Sequence, residues 1–239
     1  MNDNYERSYS YHVRDNKPDN DFSARLMLGI LEECNLAEAL RQLTNLVAAK
    51  RFDFKKLNRQ FVSNVLGYCK RDSDEEISRR ACKLIGNLVM CSSLPHNLQE
   101  IETVLVNVAL KTKHNSVRVA SLAAYRNLAA NPSFDSCTHI TDLIHYLIDE
   151  DSNIRNVTTK ILKVPSEKYI DAILTSNSNL LTVTNQLFTA LCKYDCIECL
   201  AIIYYFIEHD TCLSELIENG LAIKLYTNSL NCRLLIEKL

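Results

Sequence analysis

The sequence predicts an all-α fold wound as a right-handed α-solenoid of about five helical repeats. Three observations carry this expectation. From Ser23 onward, apolar residues recur at three- and four-residue spacing in blocks of about 10 to 18 residues, the signature of helices with one buried face. Glycine and proline number only four each among 239 residues, so there are few positions for left-handed turns or rigid breaks. Finally, residues 77–88 (ISRRACKLIGNL) superimpose on residues 117–128 (VRVASLAAYRNL), with apolar positions and a terminal Asn-Leu coinciding. That interval is near 40 residues, the length of one helical repeat unit.

Taken in chain order, residues 1–22 are polar, contain Pro18 and hold no lasting period, which predicts a flexible arm. Its Tyr5, Ser8, Tyr9, Ser10 and Tyr11 leave open a docking or phosphorylation segment instead of an unstructured leader. Residues 23–239 form the repeat domain. Helices are expected near 23–33, 36–49, 54–70, 74–91, 96–111, 116–130, 137–148, 152–163, 166–175, 179–193, 196–208, 212–218 and 221–236. Start signals support them. Asn35 with Glu38, Ser73 with Glu76 and Asp195 with Glu198 each pair a capping residue with a Glu three positions on. Asp53, Asn115 and Ser178 are simple N-caps in this reading, and Pro95 and Pro165 suit first turns, where a missing amide hydrogen costs nothing.

The repeat extends beyond the first pair. Residues 36–46 carry Asn45-Leu46, another 42 residues upstream of Asn87-Leu88. Residues 154–164 form a degenerate copy that has Val164 where the Asn would stand. The acidic lead-in of Asp74, Glu75 and Glu76, the starts at Ile77, Arg80 and Ala81 or Val117, Arg118 and Ala120, and the closing Asn-Leu together resemble the armadillo and HEAT-like repeat superfamily. Residues 213–226, with Gly220 in the inter-helix turn, look like the entry of a further unit.

The resemblance implies a concave groove in which an Asn of each unit hydrogen-bonds the main chain of an extended peptide. Asn45, Asn87 and Asn127 would form that ladder; a carboxamide offers a donor and an acceptor to unpaired backbone groups. The alternative is that they brace neighbouring backbone within the fold. Four and seven residues before each Asn, on the same helical face, stand Arg41 and Glu38, Lys83 and Arg80, and Ala123 and Ala120. A basic groove over the first two units is therefore expected. An acidic or phosphorylated protein segment is the matching guest, with Arg80 forking onto the anion and Lys83 and Arg41 adding charge; an ordinary solvated basic face is the alternative. Importin-alpha-type proteins pair their Asn with a Trp, and this chain has no Trp, which disfavours nuclear-import recognition of that kind.

Composition narrows the function further. Scarce glycine disfavours dinucleotide folds, phosphate-binding loops and nucleophile elbows. The six histidines are scattered outside any hydrolytic motif, so no catalytic residues, no cofactor and no enzyme activity are expected. Cys192, Cys196 and Cys199 share one helical face, with His209 or Cys212 able to supply a fourth ligand; a cysteine-rich core face explains them without zinc, and no metal is expected. No apolar run of signal or membrane length occurs and the ten cysteines suit a reducing compartment, which predicts a cytoplasmic or nuclear protein with no membrane partner.

Charge is uneven. Residues 1–130 carry 19 Lys and Arg against 15 Asp and Glu, whereas residues 131–239 carry 8 against 14. The basic surface of residues 50–83 supports a second hypothesis, a HEAT-like nucleic-acid- or chromatin-associated subunit, which the pI near 6.3 and the acidic second half disfavour. The leading expectation is a non-enzymatic scaffold or adaptor holding a partner protein segment. The last helix ends on residues 234–239 (LLIEKL), either docking on Tyr226 and Leu230 or offering a joining surface.

Overall fold

The computed structural model describes residues 36–52, 57–90, 94, 97–134, 139–163, 180–194, 196, 198–199 and 202–203. Its described residues are helical with no strand: α1 (Leu36–Ala48), α2 (Arg59–Cys69), α3 (Glu75–Leu88), α4 (Leu98–Lys111), α5 (Asn115–Ala129), α6 (Ile140–Ile144) with a 3-10 continuation (His145–Ile148), α7 (Ser152–Leu162) and α8 (Leu180–Tyr194). The expected arm at 1–22, the helices at 23–33, 166–175, 212–218 and 221–236, and the chain end all lie outside the described residues.

Two layers form. Helices α1, α3, α5 and α7 pack side by side in that order, and α2 lies on α3, α4 on α5 and the 3-10 turn on α7. Sequence composition follows from this placement. Helix α3 touches neighbours on both flanks and beneath, so its buried set is broad and rich in small residues: Ser78, Ala81, Cys82 and Gly86 beside Ile77, Leu84, Ile85 and Leu88. Helix α2 is covered on fewer sides and buries the narrower stripe Phe61, Val62, Val65, Leu66 and Cys69. One continuous apolar core joins all described elements from Leu36 to Ile203. This architecture is compatible with an α-solenoid.

Helix ends correct several expected caps. Helix α3 is capped by Asp74, whose side chain accepts from Ile77 N at 3.0 Å, rather than by Ser73. Helix α2 starts at Arg59 behind Asn58, which accepts from Phe61 N at 2.7 Å; Asp53 lies outside the described residues. Asn115 is the first residue of α5, not its cap, and its amide donates instead to Asp151 at 3.0 Å. Helix α1 ends without glycine. Lys50 takes the left-handed conformation, with φ 54°, while Lys50 N donates to Val47 O and Arg51 N to Leu46 O, each at 3.0 Å. A Cβ is strained there, so Lys50→Gly should raise the unfolding free energy by about 0.5–1 kcal/mol in urea titration. This lysine, one of the cations counted toward a nucleic-acid surface, closes a helix.

A second device recurs along the chain. Ser78, Arg118 and Arg155 occupy equivalent positions in their helices, and each captures carbonyls at the end of the preceding helix. Ser78 Oγ donates to Cys69 O at 2.6 Å; Arg118 donates to Ala109 O at 3.1 Å and Thr112 O at 2.6 Å; Arg155 donates to Asp149 O at 2.7 Å and Glu150 O at 2.9 Å. The two guanidinium groups also lie over Tyr146 and Tyr194, 5.6 Å and 4.1 Å from the ring centroids.

Candidate partner-binding face

Among the described residues, the layer of α1, α3, α5 and α7 is covered by the second layer on one side, and the polar stripe of each helix falls on its other side. On α1 that stripe holds Glu38, Arg41 and Asn45, all exposed. On α3 it holds Glu76, Arg79, Arg80 and Asn87, each partly buried, with exposed Lys83 between them. On α5 the stripe turns nearly apolar, through Val119 and Ala123 to Arg126. Residues three and four apart share a face, which is why these side chains fall in rows.

Ion pairing modifies the basic groove expected from sequence. Arg41 donates to both Glu38 oxygens, at 2.7 and 2.5 Å, and Gln42 adds a bond at 2.9 Å. These bonds hold the Glu38 carboxyl down to about 2, with the charge of Arg80 from the neighbouring helix contributing. Arg41 is therefore neutralised locally. Glu76 accepts from Arg79 at 2.9 and 2.5 Å and from Arg80 Nε, and these guanidinium groups hold its carboxyl below the ordinary range. Two carboxylates face four cations across α1 and α3, leaving two positive charges in excess at Arg79, Arg80 and Lys83. Partial desolvation by its neighbours, and then the charge of Arg79, push the Lys83 ammonium below its ordinary value. An incoming anion relieves that repulsion. Arg79 was not among the expected site residues, although its spacing from Glu76 and Lys83 is the signal that places it here.

The asparagines form a ladder directed into the protein. Asn87 Nδ2 donates to Thr44 O at 3.3 Å and Asn127 Nδ2 to Gly86 O at 2.8 Å. Each bond reaches the carbonyl of the residue preceding the Asn one unit upstream. Asn131, buried, adds a parallel rung to Val89 O. One donor of each amide thus braces adjacent helices, and Asn127 Oδ1 accepts from Arg126 at 2.7 Å. Asn45 is exposed, and the helix expected to precede it lies outside the described residues. Asn87→Ala and Asn127→Ala should each lower stability by about 1 kcal/mol in parallel urea titrations.

The connections are also tied across the same interval. Thr112 Oγ1 donates to Asp72 at 2.8 Å, Ser116 Oγ to Glu75 at 2.5 Å, and the His114 ring lies 3.2 Å from both Glu75 and Asp72 O. On the outer layer, where α2 and α4 diverge, a cavity of about 550 Å³ opens between Cys69, Lys70, Val104, Val108, Lys111 and Thr112.

Sequence reasoning missed Glu102. It is fully buried on α4 and accepts from Tyr125 Oη and His139 N, both at 3.3 Å, and from Gln99 Nε2. Its only sequence signal is that it shares a helical face with Leu98 and Leu105. Among the described residues no group of three or more His, Cys, Asp or Glu stands close enough together to hold a metal ion, and no helix is long and apolar enough to cross a membrane. The Cys192 side chain, His209 and Cys212 are outside the described positions. No family model matches the chain, and neither a curated protein nor a solved structure matches it.

Proposed function

We propose that the chain is a non-enzymatic adaptor, a right-handed α-solenoid of about five armadillo/HEAT-like repeats that holds an acidic or phosphorylated segment of a partner protein on its open helical layer. The observation carrying this reading is the excess of cations on α3, where Arg79, Arg80 and Lys83 have only Glu76 within their own helix stripe to balance them. A guanidinium already oriented by a carboxylate presents its remaining N–H groups in a fixed fork, which suits a second carboxylate or a phosphate. The nearly apolar stripe of α5 beside it offers contact area to the flanking residues of the segment. With Asn87 and Asn127 bracing adjacent helices, main-chain contact falls mainly to Asn45, Arg41 and the α3 cations. A cytoplasmic or nuclear setting accords with this role.

Arg80→Glu with Lys83→Glu reverses the local charge without touching the core. Affinity capture with quantitative mass spectrometry should lose an acidic or phosphorylated partner in the double variant by about tenfold or more, with helicity unchanged by circular dichroism. Equal recovery by both proteins contradicts the proposal. Binding that instead falls steeply with salt and follows nucleic-acid length would favour the chromatin-associated alternative.

A further inference from the structure

Cys196 and Cys199 are both buried, and their sulfurs stand 3.3 Å apart, with the Cys199 thiol donating to Cys196 Sγ. The backbone closes a turn around them through Cys199 N to Cys196 O at 3.1 Å. A turn of this size keeps the two Cα atoms within the span of a disulfide. The surroundings differentiate the sulfurs. The Thr159 hydroxyl lies 3.5 Å from Cys196 Sγ and the Glu198 carboxylate 3.7 Å away, and Glu198 is itself held by Lys163 of the segment following α7 at 2.9 Å. Among the four cysteines whose burial is described, Cys196 retains 6% exposure, whereas Cys199 and Cys82 have 0% and Cys69 1%, so of these a small solute reaches Cys196 first.

The thiols also differ in acidity. The hydrogen bond from Cys199, reinforced by Thr159, holds the Cys196 thiol down to about 7, while that same bond and burial push the Cys199 thiol up. Burial pushes Cys69 up as well. One member of the pair is thus ready to react as thiolate, and its neighbour retains a proton to deliver.

We propose that Cys196 and Cys199 form a redox-sensitive dithiol that a hydroperoxide oxidises stoichiometrically, closing an intramolecular disulfide within the adaptor. The Cys196 thiolate attacks the peroxide oxygen, the O–O bond breaks, and the departing alkoxide or hydroxide takes a proton from water, leaving a sulfenic acid on Cys196. Cys199 then attacks the Cys196 sulfur; the S–S bond forms, and the sulfenic hydroxide leaves as water with the Cys199 proton. Two thiols and one hydroperoxide become one disulfide, one alcohol or water molecule, and one water. An external dithiol reductant reverses the bond by exchange.

The test uses the full reduced chain, a stoichiometric amount of hydrogen peroxide and an alkylating quench, with peptide mass mapping. The peptide spanning Cys196 and Cys199 should become lighter by two hydrogens and escape alkylation at least tenfold faster than peptides containing Cys69 or Cys82. The rate should rise with pH and level off above about 7. Cys199→Ser should accumulate a dimedone-reactive sulfenic acid at Cys196, and Cys196→Ser should leave Cys199 alkylatable. Oxidation of Cys69 or Cys82 at the same rate, or a pair that stays alkylatable in the unsubstituted chain, overturns the proposal.

Discussion

Replacing Gly86 by leucine should lower the unfolding free energy by about 3 kcal/mol or more and displace the thermal midpoint by several degrees. A Cβ placed on Gly86 would stand 3.0 Å from Ala124 Cα and 3.1 Å from Ala124 Cβ, so α3 and α5 meet there backbone to backbone. The contacted atom belongs to a helix main chain packed on both sides, and a larger side chain has to separate the two helices. Separation also breaks the bond from Asn127 to Gly86 O, which needs the 2.8 Å approach. Close approach and rung are therefore lost together. Gly67 supplies the contrast, because a Cβ added there would meet nothing within 4 Å. Gly67→Ala in α2 should stabilise by about 0.5–1 kcal/mol through helix propensity alone. Urea titrations of the two glycine variants that gave equal shifts would contradict the assignment of Gly86 to a helix crossing.

Truncating Glu102 to alanine should cost about 3 kcal/mol. Its carboxylate is fully buried and collects donors from three elements: Gln99 of α4, Tyr125 of α5 and the His139 backbone ahead of α6. A group taken out of water is tolerated only with such partners, and its removal takes the shared acceptor from all of them. Glu102→Gln keeps an acceptor of nearly the same shape and should cost roughly half as much. Chemical denaturation compares the two; an alanine variant within about 0.5 kcal/mol of the unsubstituted protein would show that the cluster contributes little.

The helices themselves were legible in the sequence, because burial of one face enforces a three- and four-residue rhythm wherever a helix lies on a core. The stripe Leu36, Leu40, Leu43 and Val47 is such a case, and the structure buries all four. Helix ends were less legible. Ser73 and Asp74 both have capping side chains, and only the turn geometry selects Asp74. The row of Asn87 and Asn127 was visible as a pattern, but a carboxamide suits a peptide and a neighbouring helix equally well. The choice depends on how closely the helices approach, which Gly86 determines and no spacing rule reports. Arg41 with Glu38 and Arg79 with Glu76 were within reach of the three-residue rule. Glu102 was not, since a lone Glu in an amphipathic helix ordinarily faces water and, apart from Gln99 on the same helix, its partners come from residues 23 and 37 positions away.

The decisive measurement for the proposed function is selection of short random peptides, with and without phosphorylated residues, against the full chain and against its Arg80→Glu, Lys83→Glu variant. Acidic or phosphorylated sequences should be enriched on the unsubstituted chain, and this enrichment should disappear on the variant. Asn127→Ala should preserve the preference while lowering stability, which separates the brace from the binding face. Enrichment of the same peptides on both proteins, or of peptides without negative charge, would contradict the adaptor role.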